Sequence, residues 1–162
     1  MSSSDRRLFL LSGLALGACG FAPAYGPTGS AGRLQGQVML DPPETQEVYL
    51  LNRRIEERLG RAAAGRFALS VEVTTEQDGF GTTSAGSTTR YRLTGEARYR
   101  LRDTVTDTLI SERRAVAFTG YSAFGSNVAT LAGARDAEER LMVILADQIV
   151  DQLLLLSSEL PA

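Results

Sequence analysis

The chain has 162 residues and a formal net charge of −2 at pH 7, from 17 basic and 19 acidic side chains. This balance argues against a nucleic-acid-binding protein, whose binding face is strongly basic. Every basic residue is arginine, and the absence of histidine removes the usual general base and the commonest metal ligand. With 43% hydrophobic residues, the chain is long enough for one domain around one core.

A short hydrophobic segment follows a charged start at the N-terminus. Arg6 and Arg7 precede an apolar run at 8–18 that ends in small residues. This order is typical of a secretory signal peptide, and the run is too short to span a bilayer, which needs about 20 residues. Arg6-Arg7-Leu8-Phe9-Leu10 is also similar to a twin-arginine motif, so general secretion and twin-arginine export both stay open.

Cys19, the only cysteine, is the last residue of a four-residue motif of the lipobox type, Leu16-Gly17-Ala18-Cys19, which we call the box. In this feature the sequence resembles a bacterial lipoprotein precursor. The resemblance implies cleavage before Cys19, a diacylglycerol on its thiol and an acyl chain on its new amine, which together hold a protein stably on a membrane. The alternative is an ordinary signal peptide with an incidental cysteine. Gly20 replaces the aspartate that retains enterobacterial lipoproteins at the inner membrane, which favours the periplasmic side of the outer membrane.

Three segments are therefore expected: a lipoprotein signal peptide at 1–18, a lipidated flexible tether at 19–32 and a single α+β domain at 33–162. Gly, Pro, Ala and Ser predominate in the tether. Phe21 and Tyr25 interrupt this composition, and both are candidates for docking on a partner or for placement at the lipid headgroups. The alternative is a linker that happens to contain two aromatic residues.

Two hydrophobic periods alternate along the rest of the chain. A period of two predicts strands, and a spacing of three and four predicts helices, as in Val48, Leu51, Ile55 and Leu59. The predicted strands are 33–40, 67–75, 89–102 and 108–121, and the predicted helices are 44–61 and 126–157. This order, β-α-β-β-β-α, predicts an α+β fold with a four-stranded, mainly antiparallel sheet and two helices packed on one face.

The second predicted helix is longer than a small sheet is expected to cover. About 30 helical residues span roughly 45 Å. We therefore expect one end of this helix to project or to pack on a partner.

The strand at 89–102 carries one prominent polar cluster. Alternation puts five of its arginines on a single face. We call them the arginine row: Arg90, Arg92, Arg98, Arg100 and Arg102. Forked guanidinium groups suit phosphate, so the row is a candidate site for a polyphosphorylated anion, which at an outer membrane is lipopolysaccharide. The alternative is a solvated sheet face, partly neutralised by Glu112 of the next strand.

The sequence assigns no catalytic residue, no metal ligand and no dissociable cofactor. Carboxylates near residue 138 lie among arginines at ordinary helix-pairing spacing. The Gly-rich stretch 79–86 lacks the Lys-Ser/Thr ending of a phosphate-binding loop. We therefore expect a protein that is not an enzyme and whose only prosthetic group is the covalent lipid at Cys19.

The residues after the box point to a family. Cys19-Gly20-Phe21-Ala22-Pro23-Ala24-Tyr25-Gly26 resembles the Cys-Gly-Phe-x-Pro-x-Tyr-Gly start of the LPS-assembly lipoprotein LptE family, in its alphaproteobacterial form. The element order and the segments 121–137 and 148–153 are similar too, so the resemblance covers nearly the whole chain. It implies an outer-membrane lipoprotein that partners an LptD-like β-barrel as plug and assembly factor. It also implies binding of lipopolysaccharide during its transport to the outer leaflet.

A second interpretation stays open. Other small outer-membrane lipoproteins of similar fold are auxiliary subunits of lipid-transport ABC systems or activators of penicillin-binding enzymes. Such proteins bind a periplasmic or inner-membrane partner rather than sit inside a barrel. The basic residues with which the family contacts lipopolysaccharide cannot be mapped onto this sequence alone, so the role of the arginine row is a hypothesis drawn from its residues.

Overall fold

The computed structural model describes residues 30–81, 88–123 and 126–160. A 3-10 turn at Ser30–Arg33 precedes β1 (Val38–Leu40), α1 (Gln46–Leu59), β2 (Phe67–Gly79), β3 (Arg90–Asp103), β4 (Thr108–Ser122) and α2 (Asn127–Leu156). The strands form one sheet in the order β1-β2-β3-β4. The predicted α+β fold is confirmed. The signal peptide and the tether residues Cys19, Phe21 and Tyr25 lie outside the described residues.

The sheet is mixed. β1 and β2 run parallel, with α1 as the connection between them, whereas β2, β3 and β4 pair antiparallel. β1 is shorter than the strand predicted over 33–40, because the chain turns at Gly36, where φ is 63°. The N–H of Gly36 donates to the carbonyl of Leu59 at 2.8 Å, and Leu34 is buried before the strand begins. The alternating pattern at 34–40 therefore reflects a buried turn followed by a three-residue strand.

Both helices begin at side-chain caps. The Thr45 hydroxyl accepts the N–H of Val48 at 3.3 Å, and the Ser126 hydroxyl accepts the N–H of Ala129 at 3.2 Å. Such caps satisfy one of the unpaired N–H groups of a first helical turn. Ser126 is therefore the N-cap of the second helix, which was predicted to begin there. α1 ends at Gly60, whose N–H donates to the carbonyl of Glu56.

The core lies between the helices and one sheet face, which we call the inner face. Phe67, Leu69, Tyr99 and Leu101 contribute from the strands and are at most 1% exposed. Small residues at Gly95, Ala97, Ala115 and Ala117 let α2 approach closely. A Cβ on Gly95 would lie 3.0 Å from Leu141 Cδ2 and Leu145 Cδ1. These small side chains bring β3 and β4 close to the helix that covers them.

α2 has exposed apolar residues near both of its ends. Val128 and Leu131 in the first turns are 77% and 60% exposed, and Leu155 in the last turn is 77% exposed. α2 packs on β3, β4 and α1. That one of its ends projects or packs on a partner remains a prediction. None of the helices among the described residues has the length and apolarity needed to cross a membrane.

A buried carboxylate organises the turn between β3 and β4. Asp103 accepts the N–H groups of Val105 and Thr106 at 2.8 and 3.3 Å, and Arg66 donates to it at 3.1 Å. Burial acts to raise the pKa of Asp103, but these donors outweigh it and lower the pKa below its usual range. The β3–β4 hairpin is thus closed by an ionised aspartate.

Candidate anion-binding face of the sheet

The arginine row lies on the sheet face opposite the helices, which we call the outer face. Along β3, buried residues such as Tyr99 and Leu101 alternate with the arginines, which point away from the core. The pattern that sequence alternation predicts for this strand is therefore the one observed. It places five guanidinium groups along one strand, where a ligand in solvent can reach them.

Carboxylates pair with one end of the row. Arg98 donates to Glu96 at 2.8 Å, Arg100 donates to Glu112 at 3.0 Å, and Arg102 donates to Asp107 at 2.7 Å. The proximity expected for Glu112 is thus observed. Exposed pairs of this kind contribute only about 0–1 kcal/mol each, so an incoming anion can replace a carboxylate at little cost.

The outer face is nearly balanced in charge, which the sequence pattern of a single strand did not indicate. Pairing with β2 brings Glu72, Glu76 and Asp78 onto this face, and β4 adds Glu112 and Arg114. Together with Glu96, they make five carboxylates against six arginines on the outer face. A depression of about 290 Å³ at the centre is lined by Glu76, Glu96, Arg98 and Val116, among others.

The other end of the row adjoins exposed aromatic rings. The Arg92 guanidinium lies 5.5 Å from the ring centroid of Phe80 and 5.9 Å from that of Phe118. Phe118 is 70% exposed and Phe80 is 45% exposed. Across the part of the chain that the structure describes, neither Arg90 nor Arg92 has a carboxylate within ion-pair distance. This end therefore combines cations with an apolar surface.

The sequence pattern of β3 alone does not indicate these aromatic residues. Alternation puts Val116 and Phe118 on the same face of β4, but only the hairpin register aligns Phe118 with Thr94, on the arginine side of β3. Phe80 follows β2 and reaches this end because β2 continues to Gly79, beyond the predicted end at residue 75. The sequence of β4 does contain a hint. Its inward residues are the small Ala115 and Ala117, so its larger residues Val116 and Phe118 point outward.

A second set of ion pairs joins the two helices. Asp147 accepts hydrogen bonds from Arg54 at 3.0 and 3.1 Å and from Arg58 at 2.8 Å, and we call these three residues the helix clamp. Burial acts to raise the pKa of Asp147, but the two arginines outweigh it and lower the pKa. Arg53 likewise pairs with Glu139 of α2 at 2.6 Å. Arginines on the polar face of α1 thus join it to α2.

The candidate site contains no recognisable metal centre. Within 30–81, 88–123 and 126–160, no group of three or more acidic or cysteine side chains is arranged to hold a metal ion. Glu72, Glu96 and Glu112 of the outer face instead pair with arginines. The chemistry that this face offers is recognition of anions and apolar groups.

Solved structures share the fold at low sequence identity. A crystal structure from Caulobacter crescentus CB15 has a TM-score of 0.68 and 20% identity, covering 82% of this chain and 98% of that one. The rare lipoprotein B from Shewanella oneidensis has a TM-score of 0.56 and 10% identity, covering 72% and 91%. A minor lipoprotein from Acinetobacter baumannii has a TM-score of 0.53 and 18% identity, covering 73% and 88%. Among curated proteins, none matches this sequence.

The family relation rests on a longer match. The model of the family described as LptE, lipopolysaccharide-assembly, matches residues 37–153. This range includes all of α1, β2, β3 and β4 and most of α2. It therefore contains the outer face with its arginine row and the helix clamp. The chain belongs to the LptE family and has a role in lipopolysaccharide assembly.

Proposed function

We propose that the mature chain is an outer-membrane lipoprotein, anchored through Cys19, that partners an LptD-like β-barrel as plug and assembly factor. In this role it binds lipopolysaccharide on its outer face during transport to the outer leaflet, and it catalyses no reaction. The observation that carries the ligand proposal is the end of the arginine row, where Arg90 and Arg92 adjoin exposed Phe80 and Phe118.

The ligand chemistry follows from this juxtaposition. Guanidinium groups bind phosphate through paired, charge-assisted hydrogen bonds. Apolar rings beside them offer surface to acyl chains, and burial of apolar area contributes about 25 cal/mol per Å². Lipopolysaccharide carries phosphates next to acyl chains, so it matches both halves of this surface. Further phosphates can bind along the rest of the row, at Arg98, Arg100 and Arg102. Each of these arginines would exchange its weakly bound carboxylate partner for a phosphate.

The barrel partner is supported by the character of the exposed surface. The long outer face is polar and nearly neutral in charge, as expected for a surface that faces a water-filled lumen. The first turns of α2 add exposed Val128 and Leu131, which an enclosing partner would cover. Two structural neighbours are lipoproteins by name, which supports an envelope location. Cys19 would carry the lipid, and Phe21 and Tyr25 would dock on the partner or at the headgroups.

The partner is tested by purification in mild detergent. A tagged mature lipoprotein is recovered from outer membranes, and its partners are identified by mass. We expect a large β-barrel protein in roughly equal amount. Recovery of a transporter subunit or a cell-wall synthase in its place would contradict the barrel assignment and favour the other lipoprotein classes.

The ligand is tested by titration of the purified protein with lipopolysaccharide. Reversal of Arg90 and Arg92 to Glu should weaken binding by about tenfold or more, since two phosphate contacts of about 0.7 kcal/mol each give 1.4 kcal/mol. Reversal of Arg135 and Arg140, two exposed arginines of α2 on the other side of the sheet, makes the same change in charge and is the matched control. Equal effects of the two reversals would mean that the arginine row contributes only general charge.

A further inference from the structure

The open edge of β2 is the feature from which we infer a further binding site. β1 pairs with β2 only at Phe67, Ala68 and Leu69, whereas β2 continues to Gly79. The last hydrogen bond of this edge runs from the N–H of Asp41 to the carbonyl of Leu69 at 3.2 Å, after which Pro42 and Pro43 lead the chain away. About ten residues of β2 therefore have no neighbouring strand on this side among the described residues.

The backbone groups that face this edge follow from the ladder. Phe67 donates to the carbonyl of Gln37 and Leu69 accepts from Asp41, so the odd-numbered residues of β2 point their N–H and C=O groups toward β1. By the period of two, Val71, Val73, Thr75 and Gln77 direct theirs to the open edge. Exposed edges of this kind pair readily with an added strand.

A cleft flanks the open edge where β1 ends. It has a volume of about 390 Å³, with Val48, Val71 and Val73 as its apolar lining and Glu44 and Glu72 at its rim. Asn52 also lines it and is 92% buried. Its amide nitrogen donates to the carbonyl of Asp41 at 3.1 Å, but its Oδ1 has no hydrogen-bond partner among the described residues. A buried acceptor of this kind calls for a donor from an occupant.

The charge of the edge selects the occupant. Glu44 and Glu72 line the cleft, and Glu76 and Asp78 lie further along β2, so the carboxylates near the open edge favour a basic segment. A second β2 would bring the same carboxylates together and be repelled. The chain's own segments at 20–29 and 82–87 contain no charged residue, so they do not match either.

We propose that the open edge of β2 accepts an extended, basic segment of the β-barrel partner as an added strand. The segment continues the line of β1, pairs with the backbone of Val71, Val73 and Thr75, and donates a hydrogen bond to Asn52 Oδ1 in the cleft. Main-chain pairing supplies the affinity of such strand addition, and the pockets beside it supply the specificity. This inference rests on the barrel partnership proposed above.

Hydrogen exchange on the purified lipoprotein–barrel complex tests whether a partner segment adds to the edge of β2. Exchange is measured by mass spectrometry on peptides covering 70–78, for the complex and for the full lipoprotein alone. The edge amides in this peptide should exchange at least about tenfold more slowly in the complex, because they gain hydrogen bonds. Peptides covering 112–120 report the opposite sheet edge, formed by β4, and should change little.

Variants of the lipoprotein distinguish backbone pairing at the edge of β2 from other contacts with the partner. Val73→Pro removes an edge-facing N–H and blocks an added strand, while proline is tolerated on sheet edges. Val73→Ile keeps the N–H and is the matched control. Glu44→Arg at the cleft rim should weaken the complex more than Glu159→Arg, which lies outside the cleft. We expect the protection of 70–78 to be lost with Val73→Pro and kept with Val73→Ile.

Each other outcome overturns the inference. A complex that forms without protection at 70–78, or with equal protection of both edges, refutes strand addition and leaves the barrel partnership intact. Failure of the wild-type lipoprotein to bind the barrel refutes both. Protection in the lipoprotein alone that grows with its concentration would assign the edge to a second copy. Identical complexes of all four variants would mean that the cleft holds no partner segment.

Discussion

The helix clamp gives a quantitative prediction for stability. Asp147 accepts three hydrogen bonds of 2.8–3.1 Å from Arg54 and Arg58. A hydrogen bond to a charged group contributes about 1.5–3 kcal/mol, but the three side chains are about one third exposed, and solvent screening reduces this value. We expect Asp147→Asn to lower the free energy of unfolding by about 1–2 kcal/mol at pH 7, and the Tm by roughly 3–8 °C.

The dependence of this effect on pH follows from linkage. The pKa of Asp147 is lowered in the folded state from its ordinary value of 3.8. Its ionised form therefore stabilises the fold fully above that ordinary value, and the contribution is lost as the pH falls through the lowered pKa. Asparagine does not titrate. The difference in stability between wild type and Asp147→Asn should thus be constant from pH 7 to about pH 5 and shrink toward zero in strong acid.

Urea unfolding at pH 7, 5 and 3, followed by circular dichroism, measures this difference. The control is Asp151→Asn, because Asp151 accepts a single bond of 3.2 Å and is 66% exposed. We expect the control to cost less than about 0.5 kcal/mol. A wild-type advantage that persists undiminished at the lowest pH would refute the assignment of the stabilisation to an ionised Asp147.

Two further predictions concern the core and the anchor. Gly95→Val should lower the free energy of unfolding by about 1–3 kcal/mol, because its Cβ would already lie 3.0 Å from Leu141 and Leu145. Gly32→Ala, with nothing within 4 Å, should leave the urea midpoint unchanged, and equal midpoints for the two variants would contradict close packing at Gly95. Cys19→Ser should remove the acyl mass from the intact protein and release it from membranes that lack the barrel. An unchanged lipid mass would exclude Cys19 as the attachment point.

Periodicity predicted the parts of the fold that depend on one segment at a time. The alternation along β3 and the apolar stripes of both helices each follow from burial of one face, so they are visible without the neighbouring elements. Element ends were less predictable. β2 extends to Gly79 because β3 continues to pair with it, as in the match of Gly79 with Tyr91. That pairing is a tertiary effect with no local signal.

The sequence predicted the arginines of the candidate site but not the residues that surround them. The arginine row follows from one strand, but Glu72 reaches Arg100 only through the register of β2 against β3, and the 3.4 Å contact joins residues 28 apart. The open edge of β2 depends likewise on where β1 stops. A three-residue strand followed by Pro42 and Pro43 could not be distinguished by alternation from the longer strand predicted over 33–40.

The near balance of charge on the outer face bears on how a lipopolysaccharide ligand could be both bound and released. A face of unpaired arginines would hold a multiply phosphorylated ligand tightly and also repel itself during folding. Arg98, Arg100 and Arg102 each have a carboxylate partner that can take their charge when the ligand leaves. Only Arg90 and Arg92, beside Phe80 and Phe118, offer charge without such a competitor among the described residues. This arrangement favours first contact at the aromatic end and weak, exchangeable contacts along the rest of the row, which suits a protein that passes its ligand on.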